Sequence, residues 1–144
     1  MTYLDTSYIA KCYLNEPGSP RVLEWLAGKS GLSCCSHGRL ELFAALKRHE
    51  REGNLGADAL HAVFERLRRD EERGLWRWIP VTDRLVRAAC RRVRTVSGAE
   101  FVRAADALHL TCAADNGFDA VYSHDQRMLD AAACFGLEGR DILA

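Results

Sequence analysis

Short apolar segments alternate with amphipathic segments along this chain. The apolar segments have the length of strands, whereas Leu60, Val63 and Leu67 recur at helical spacing within the segment 57–73. The predicted strands are Met1–Leu4, Gly31–Cys35, Leu75–Val81, Ala120–Ser123 and Asp141–Leu143. Strands that alternate with helices usually run parallel, with helices on both faces of the sheet. The pattern therefore predicts an α/β fold with a mostly parallel central sheet in a three-layer α/β/α arrangement.

Length and charge narrow the possibilities further. The 144 residues contain no internal repeat and no long linker, so we expect a single domain over residues 1–144. No apolar stretch approaches the roughly 20 residues that cross a bilayer. Because Met1–Asp5 also does not resemble a signal peptide, we expect a cytoplasmic protein without membrane contact. Basic and acidic residues balance at 20 each, so nucleic-acid binding would need a local patch rather than a broad basic surface.

Four acidic residues occupy positions that are unusual for surface charges. Asp5 directly follows the first predicted strand, and Asp125 comes just after the strand Ala120–Ser123. Such strand ends form sites in parallel sheets. Glu41 and Asp106 lie inside otherwise apolar helical stretches, where an unpaired buried carboxylate is costly. A hard divalent cation, Mg²⁺ or Mn²⁺, would offset this cost. From the residues alone, each acid can also be a solvated charge, and Asp106 an acid favoured by a helix N-terminus.

Each of these acids lies in a short sequence motif. The motif with Asp106 is Arg103-Ala-Ala-Asp-Ala-Leu-His-Leu110. The other three are Leu4-Asp-Thr-Ser7, the stretch Ser36–Leu46 around Glu41, and Ser123-His-Asp-Gln-Arg-Met-Leu129. These motifs are similar to those of PIN domains, and most closely to those of VapC-type toxins, and the motif with Asp106 is the most specific of the four. Their order and spacing cover nearly the whole chain. The resemblance therefore implies a PIN-like fold.

The resemblance also implies an activity. It implies a metal-dependent endoribonuclease that hydrolyses RNA phosphodiester bonds with Mg²⁺ or Mn²⁺ and acts as the toxin of a VapBC-type toxin–antitoxin pair. The implied catalytic residues are Asp5, Glu41, Asp106 and Asp125. Asp5 and Asp106 are the expected direct metal ligands, and Glu41 and Asp125 would act directly or through water. The implied partners are a VapB-type antitoxin, the RNA substrate and a second copy of the chain in a homodimer.

Further residues beside the four acids are candidates for supporting roles. The hydroxyls of Thr6 and Ser123 could form hydrogen bonds in the site. Three arginines, each within three residues of an acid, could offset the repulsion between the acids and RNA: Arg39, Arg103 and Arg127. His109 lies one helical turn after Asp106. We interpret it as a buried hydrogen-bonding group, with metal ligation as the alternative. The helices predicted over 37–52 and 57–73 each carry an apolar stripe and are candidates for an antitoxin groove.

Other functional classes have less support. The chain contains neither the G-x-S-x-G motif of serine hydrolases nor a phosphate-binding P-loop. A catalytically silent PIN-type RNA-binding module is one alternative, although the complete acidic set favours an enzyme. A PIN-like DNA nuclease is the other alternative, although the short chain is more typical of the toxins.

Overall fold

The predicted alternation forms one five-stranded parallel sheet with seven α-helices, in a computed structural model that describes residues 1–144. The strands are β1 Thr2–Leu4, β2 Leu32–Cys35, β3 Trp76–Ile79, β4 Ala120–Tyr122 and β5 Glu138–Arg140. The helices are α1 Thr6–Tyr13, α2 Ser19–Leu26, α3 Ser36–Arg51, α4 Ala57–Glu72, α5 Asp83–Thr95, α6 Ala104–Asp115 and α7 Gln126–Ala132, followed by a 3₁₀ turn over Ala133–Phe135. No helix is both long and apolar enough to cross a membrane.

The order of the strands creates one crevice in the sheet. The order is β3-β2-β1-β4-β5, so the chain extends the sheet in one direction from β1 and then returns to β1 with β4. Ligand sites in parallel sheets form at such a reversal, beyond the carboxyl ends of the strands. The backbone N–H of Asp5, directly after β1, donates to the carbonyl oxygen of Tyr122 at the end of β4, with an N···O distance of 3.1 Å. Asp5 therefore lies at the reversal point.

The core has one apolar cluster on each face of the sheet. In β1, Tyr3 belongs to one cluster and Leu4 to the other, because successive side chains of a strand point to opposite faces. Leu110 of α6 packs on the Tyr3 side, and Leu42 of α3 packs on the Leu4 side. Helices thus cover both faces, and the predicted three-layer α/β/α architecture is confirmed.

The prediction for the last strand was wrong in position. The strand is Glu138–Arg140, which pairs in parallel with β4, and the predicted segment Asp141–Leu143 forms a turn instead. The sequence Glu-Gly-Arg has no apolar alternation, because this edge strand carries exposed side chains. Ile142 and Leu143 are apolar because they pack against the Leu4-side cluster, not because they lie in a strand.

Candidate active site

The four predicted acids line one cleft of about 760 Å³ at the reversal point of the sheet. They come from four elements: the end of β1, α3, the first turn of α6 and the start of α7. The structure therefore brings together Asp5, Glu41, Asp106 and Asp125, the first and last of which are 120 positions apart in the sequence. The cleft also contains hydroxyl, imidazole and basic groups, which are Thr6, Ser7, Lys11, Arg48, Arg51, Arg103, His49, His109 and His124.

Asp5 is the most completely enclosed of the four acids. It is the N-cap of α1, and its Oδ1 accepts hydrogen bonds from the Ser7 hydroxyl at 2.6 Å and from the Tyr8 backbone N–H at 3.3 Å. Its Oδ2 accepts from the Ser123 hydroxyl at 2.6 Å. Burial raises the pKa of Asp5 and outweighs the opposing effect of the Ser123 and Ser7 hydrogen bonds. A cation beside Asp5 would therefore stabilise its charged form.

Ser123 connects two of the acids. Its hydroxyl donates to Asp5 and accepts a hydrogen bond from the backbone N–H of Asp125 at 2.9 Å. Asp125 in turn is the N-cap of α7, and its Oδ1 accepts from the backbone N–H of Arg127 at 3.0 Å. This chain of hydrogen bonds holds the carboxylates of Asp5 and Asp125 in a defined relative position.

Arg103 bridges Asp106 and Asp125. Its guanidinium donates to both oxygens of Asp106, at 2.6 and 3.1 Å, and to Oδ2 of Asp125 at 2.5 Å. Burial raises the pKa of Asp125, but the hydrogen bonds from Arg103 and from the Arg127 backbone N–H outweigh it and lower this pKa. The guanidinium thus takes the position of a cation between two carboxylates.

Glu41 is oriented by a hydroxyl and a histidine. Its Oε1 accepts from the Thr6 hydroxyl at 3.0 Å and lies 2.7 Å from Nε2 of His109. The other ring nitrogen of His109 contacts the Tyr3 hydroxyl at 2.9 Å, and that hydroxyl accepts from the Cys35 backbone N–H. Burial raises the pKa of Glu41, but the His109 and Thr6 contacts outweigh it and lower this pKa. These contacts agree with the interpretation of His109 as a buried hydrogen-bonding group.

Two of the three predicted arginines do not reach the cleft. Arg39 pairs with Glu71 of α4 at 2.6 Å, and Arg127 lies over the ring of Phe101. The motif analysis missed Arg48 and Arg51 of α3, which line the cleft. Arg48 is seven positions after Glu41, so the two residues share one face of α3. That spacing is the signal by which it could have been found.

Comparisons with known proteins identify the family of this chain. The PIN domain family model matches residues 2–133. The chain belongs to the PIN domain family. Among solved structures, this PIN domain resembles the crystal structure of Mycobacterium tuberculosis VapC20, a sarcin–ricin loop cleaving toxin. The TM-score is 0.70 at 18% sequence identity, over 91% of this chain and 95% of that chain, which shows a shared fold. Curated protein sequences give no significant match.

The donor groups of this PIN domain suit a hard divalent cation. Carboxylate oxygens are the ligands that Mg²⁺ and Mn²⁺ prefer, and all four carboxylates line the cleft. Arg103 supplies an independent indication, because a positive charge already lies between Asp106 and Asp125. Asp5 would also gain from a nearby cation, since burial disfavours its charge. The residues present therefore fit the metal that the sequence predicts.

Proposed function

We propose that this PIN domain is a metal-dependent endoribonuclease that acts as the toxin of a VapBC-type toxin–antitoxin pair. The observation that carries the proposal is the convergence of Asp5, Glu41, Asp106 and Asp125 in one cleft at the sheet reversal. The fold of VapC20, a sarcin–ricin loop cleaving toxin, adds support. We also infer that the protein acts in the cytoplasm, where the RNA substrates of such a toxin are found.

In RNA hydrolysis, the side chains of the cleft would bind the metal, position the carboxylates and offset the negative charge of the RNA. Asp5 and Asp106 would hold Mg²⁺ or Mn²⁺ directly, with Glu41 and Asp125 acting directly or through water. A bound cation of this kind polarises a phosphoryl oxygen and lowers the pKa of an attacking water. Ser123 holds Asp5 in place, and Thr6 holds Glu41. Basic groups that line the cleft, among them Arg103 and Arg48, would reduce the repulsion between the acids and the RNA backbone.

The experiment compares RNA cleavage by the purified full-length protein with Mg²⁺, with Mn²⁺ and with EDTA. We expect cleavage with either cation and none in EDTA. Asp5→Asn and Asp106→Asn should each reduce the rate more than about 100-fold, since metal assistance is worth several kcal/mol in the transition state. Asp58→Asn, an exposed acid on α4, is the matched control and should cleave normally. Full activity in EDTA, or in both site variants, would refute the proposal.

Inducible expression in a bacterial host, with mapping of RNA 5′ ends, tests the toxin role. We expect growth arrest and one dominant cleavage site, with both effects absent for Asp5→Asn. Equal arrest by the wild type and the variant would instead indicate a silent RNA-binding module. Preferential cleavage of DNA by the purified protein would indicate a PIN-like DNA nuclease.

We further propose that helices α3 and α4 receive the antitoxin. Leu40 on α3 has 72% of its surface exposed and lies three positions before Phe43, on the same side of the helix. Phe43 of α3 stacks on Phe64 of α4 with ring centroids 4.8 Å apart, so the two helices present a shared, partly exposed apolar strip. An amphipathic helix of a VapB-type antitoxin would fit such a strip. The homodimer that the family resemblance implies is part of the same proposal.

A further inference from the structure

A second group of metal-ligating side chains lies at the α3 side of the cleft. His37 and Glu41 are one turn apart on α3, and His109 faces them from α6. Oε1 of Glu41 lies 2.7 Å from Nε2 of His109 and 3.4 Å from Nε2 of His37. The three potential ligand atoms lie within 4.8 Å of one another. Zinc ligands lie about 2 Å from the ion, so the Glu41 and His109 atoms would have to move slightly apart for all three to bind one ion.

Gly38 allows the three potential ligands to lie close together. Gly38 lies between His37 and Glu41, and a Cβ at this position would be 3.0 Å from Cε1 of His109 and 2.5 Å from Sγ of Cys34. Glycine therefore permits α3 to approach His109 more closely than any other residue would allow. The close approach of the helices is what places both imidazoles beside one carboxylate.

The surroundings of the three ligands resemble those of a metal site. His109 is 1% exposed, and its Nδ1 contacts the Tyr3 hydroxyl at 2.9 Å, the kind of outer contact that orients a ligating histidine. Thr6 plays the same part for Glu41. His37 is held by a backbone group, because its Nε2 lies 3.1 Å from the carbonyl oxygen of Ala105, a contact that an ion on Nε2 would replace. Its Nδ1 is buried without a hydrogen-bond partner. Glu41 and His109 line the cleft, so an ion here would keep an open side toward solvent.

We propose that His37, Glu41 and His109 form a binding site for a transition-metal cation, with Zn²⁺ as the preferred ion. Two imidazoles and a carboxylate with an open fourth position are a common zinc ligand set. Imidazole ligands disfavour Mg²⁺, which binds oxygen donors. The site therefore differs in preference from the carboxylate site of the nuclease, although the two share Glu41. The inference does not depend on the proposed nuclease function.

The test measures metal binding to the full-length protein without RNA. Calorimetric titration with Zn²⁺ should show one tight site, and Co²⁺ should give the visible absorption of a four- or five-coordinate ion. His37→Gln should weaken Zn²⁺ binding more than about tenfold, since loss of even an outer partner of a ligand costs that much. His61→Gln, a substitution of an exposed histidine on α4, is the matched control and should bind Zn²⁺ normally.

A third variant separates this site from the nuclease site. Asp5→Asn should retain tight Zn²⁺ binding even though it should lose RNA cleavage. If Zn²⁺ affinity falls in Asp5→Asn but is unchanged in His37→Gln, the ion binds at the carboxylates and the proposal is wrong. Weak octahedral Co²⁺ absorption in the wild type would also overturn it. His109→Gln provides a second check, and His37→Gln remains decisive if loss of the buried His109 impairs folding.

Discussion

At the scale of single residues, Asp5 is a buried carboxylate whose charged form the proposed cation would stabilise. Three donors hold its two oxygens, yet burial still raises its pKa. A carboxyl group whose pKa is raised on folding stabilises the fold fully below its unfolded pKa of about 4. That contribution is lost as the pH rises through the folded pKa. At neutral pH and without metal, ionised Asp5 therefore lowers the free energy of unfolding.

Asp5→Asn should consequently stabilise the metal-free protein at neutral pH, while it removes activity. Asparagine is also a good N-cap, so α1 should keep its start. We expect the thermal midpoint to rise by a few degrees at pH 7, since 1 kcal/mol corresponds to roughly 2–4 °C for a domain near this size. The gain should shrink toward pH 4. Thermal denaturation in EDTA at both pH values measures it, and a pH-independent difference between the two proteins would contradict the argument.

Arg103 would compete with a metal ion for the carboxylates of Asp106 and Asp125. Its guanidinium binds Asp106 through both oxygens and also binds Asp125, so a metal ligated by Asp106 must displace part of this contact. Its side chain is partly exposed, which weakens the pair through solvent screening. The arginine would then be free to face a phosphate group, to which a planar guanidinium can donate two hydrogen bonds.

Arg103→Gln should therefore strengthen Mn²⁺ binding, because it removes the competing cation. We expect an increase of up to roughly tenfold, given that hydrogen bonds to charged groups contribute about 1.5 kcal/mol or more before screening. Calorimetric titration with Mn²⁺ in the absence of RNA measures this. Arg127→Gln is the control, because that guanidinium lies over Phe101 and not on a carboxylate. Equal strengthening in both variants would indicate a general charge effect instead of direct competition.

At the scale of secondary-structure elements, the contacts of Gly38 in α3 with Cys34 of β2 and His109 of α6 determine where Glu41 lies. Alanine normally favours a helix over glycine by about 1 kcal/mol. At position 38, however, the added Cβ would lie 2.5 Å from Sγ of Cys34, which is fully buried and cannot move aside. Thr6 and His109, which orient Glu41, are also within 3.3 Å of that Cβ. The substitution would push α3 away from both of them.

We therefore expect Gly38→Ala to destabilise the fold by about 1–3 kcal/mol, the usual cost of overpacking a core. Cleavage should fall as well, because Glu41 would lose its contacts with Thr6 and His109. Urea denaturation and the RNA cleavage assay report the two effects. Gly98→Ala is the control, since a Cβ there meets no atom within 4 Å. Wild-type stability in Gly38→Ala would mean that α3 has more freedom than the structure shows.

At the scale of the whole molecule, charge and exposed apolar surface determine how the protein meets its partners. A net charge of zero gives no broad attraction to RNA. In the proposed nuclease, the attraction would come from local groups such as Arg48 and Arg103. The apolar strip on α3 and α4 is separate from these groups, because Leu40 does not line the cleft. Substrate and antitoxin could therefore contact different parts of the surface.

Leu40→Asp should weaken binding of a co-expressed VapB-type antitoxin more than about tenfold, since an unpaired charge is costly in an apolar interface. RNA cleavage by the isolated variant should be unaffected. Val86→Asp, which places the same charge on an exposed valine of α5, is the control. Co-purification measures binding, and light scattering shows whether each protein forms the expected homodimer. Unchanged antitoxin binding by Leu40→Asp would place the groove elsewhere.

The sequence by itself determined most of the strands and helices, though not β5, and it determined which acids are candidates for the site. Periodicity reveals buried faces, and the motifs around Asp5 and Asp106 indicate the family, because both are local patterns. Only the tertiary structure decided that Arg103 binds two acids and that His37 and His109 meet at Glu41. The contacts of Arg103 with Asp125 and of His109 with Glu41 join residues far apart in the chain. They depend on the strand order, which brings α3, α6 and the start of α7 to one edge of the sheet, and a local sequence pattern does not contain that order.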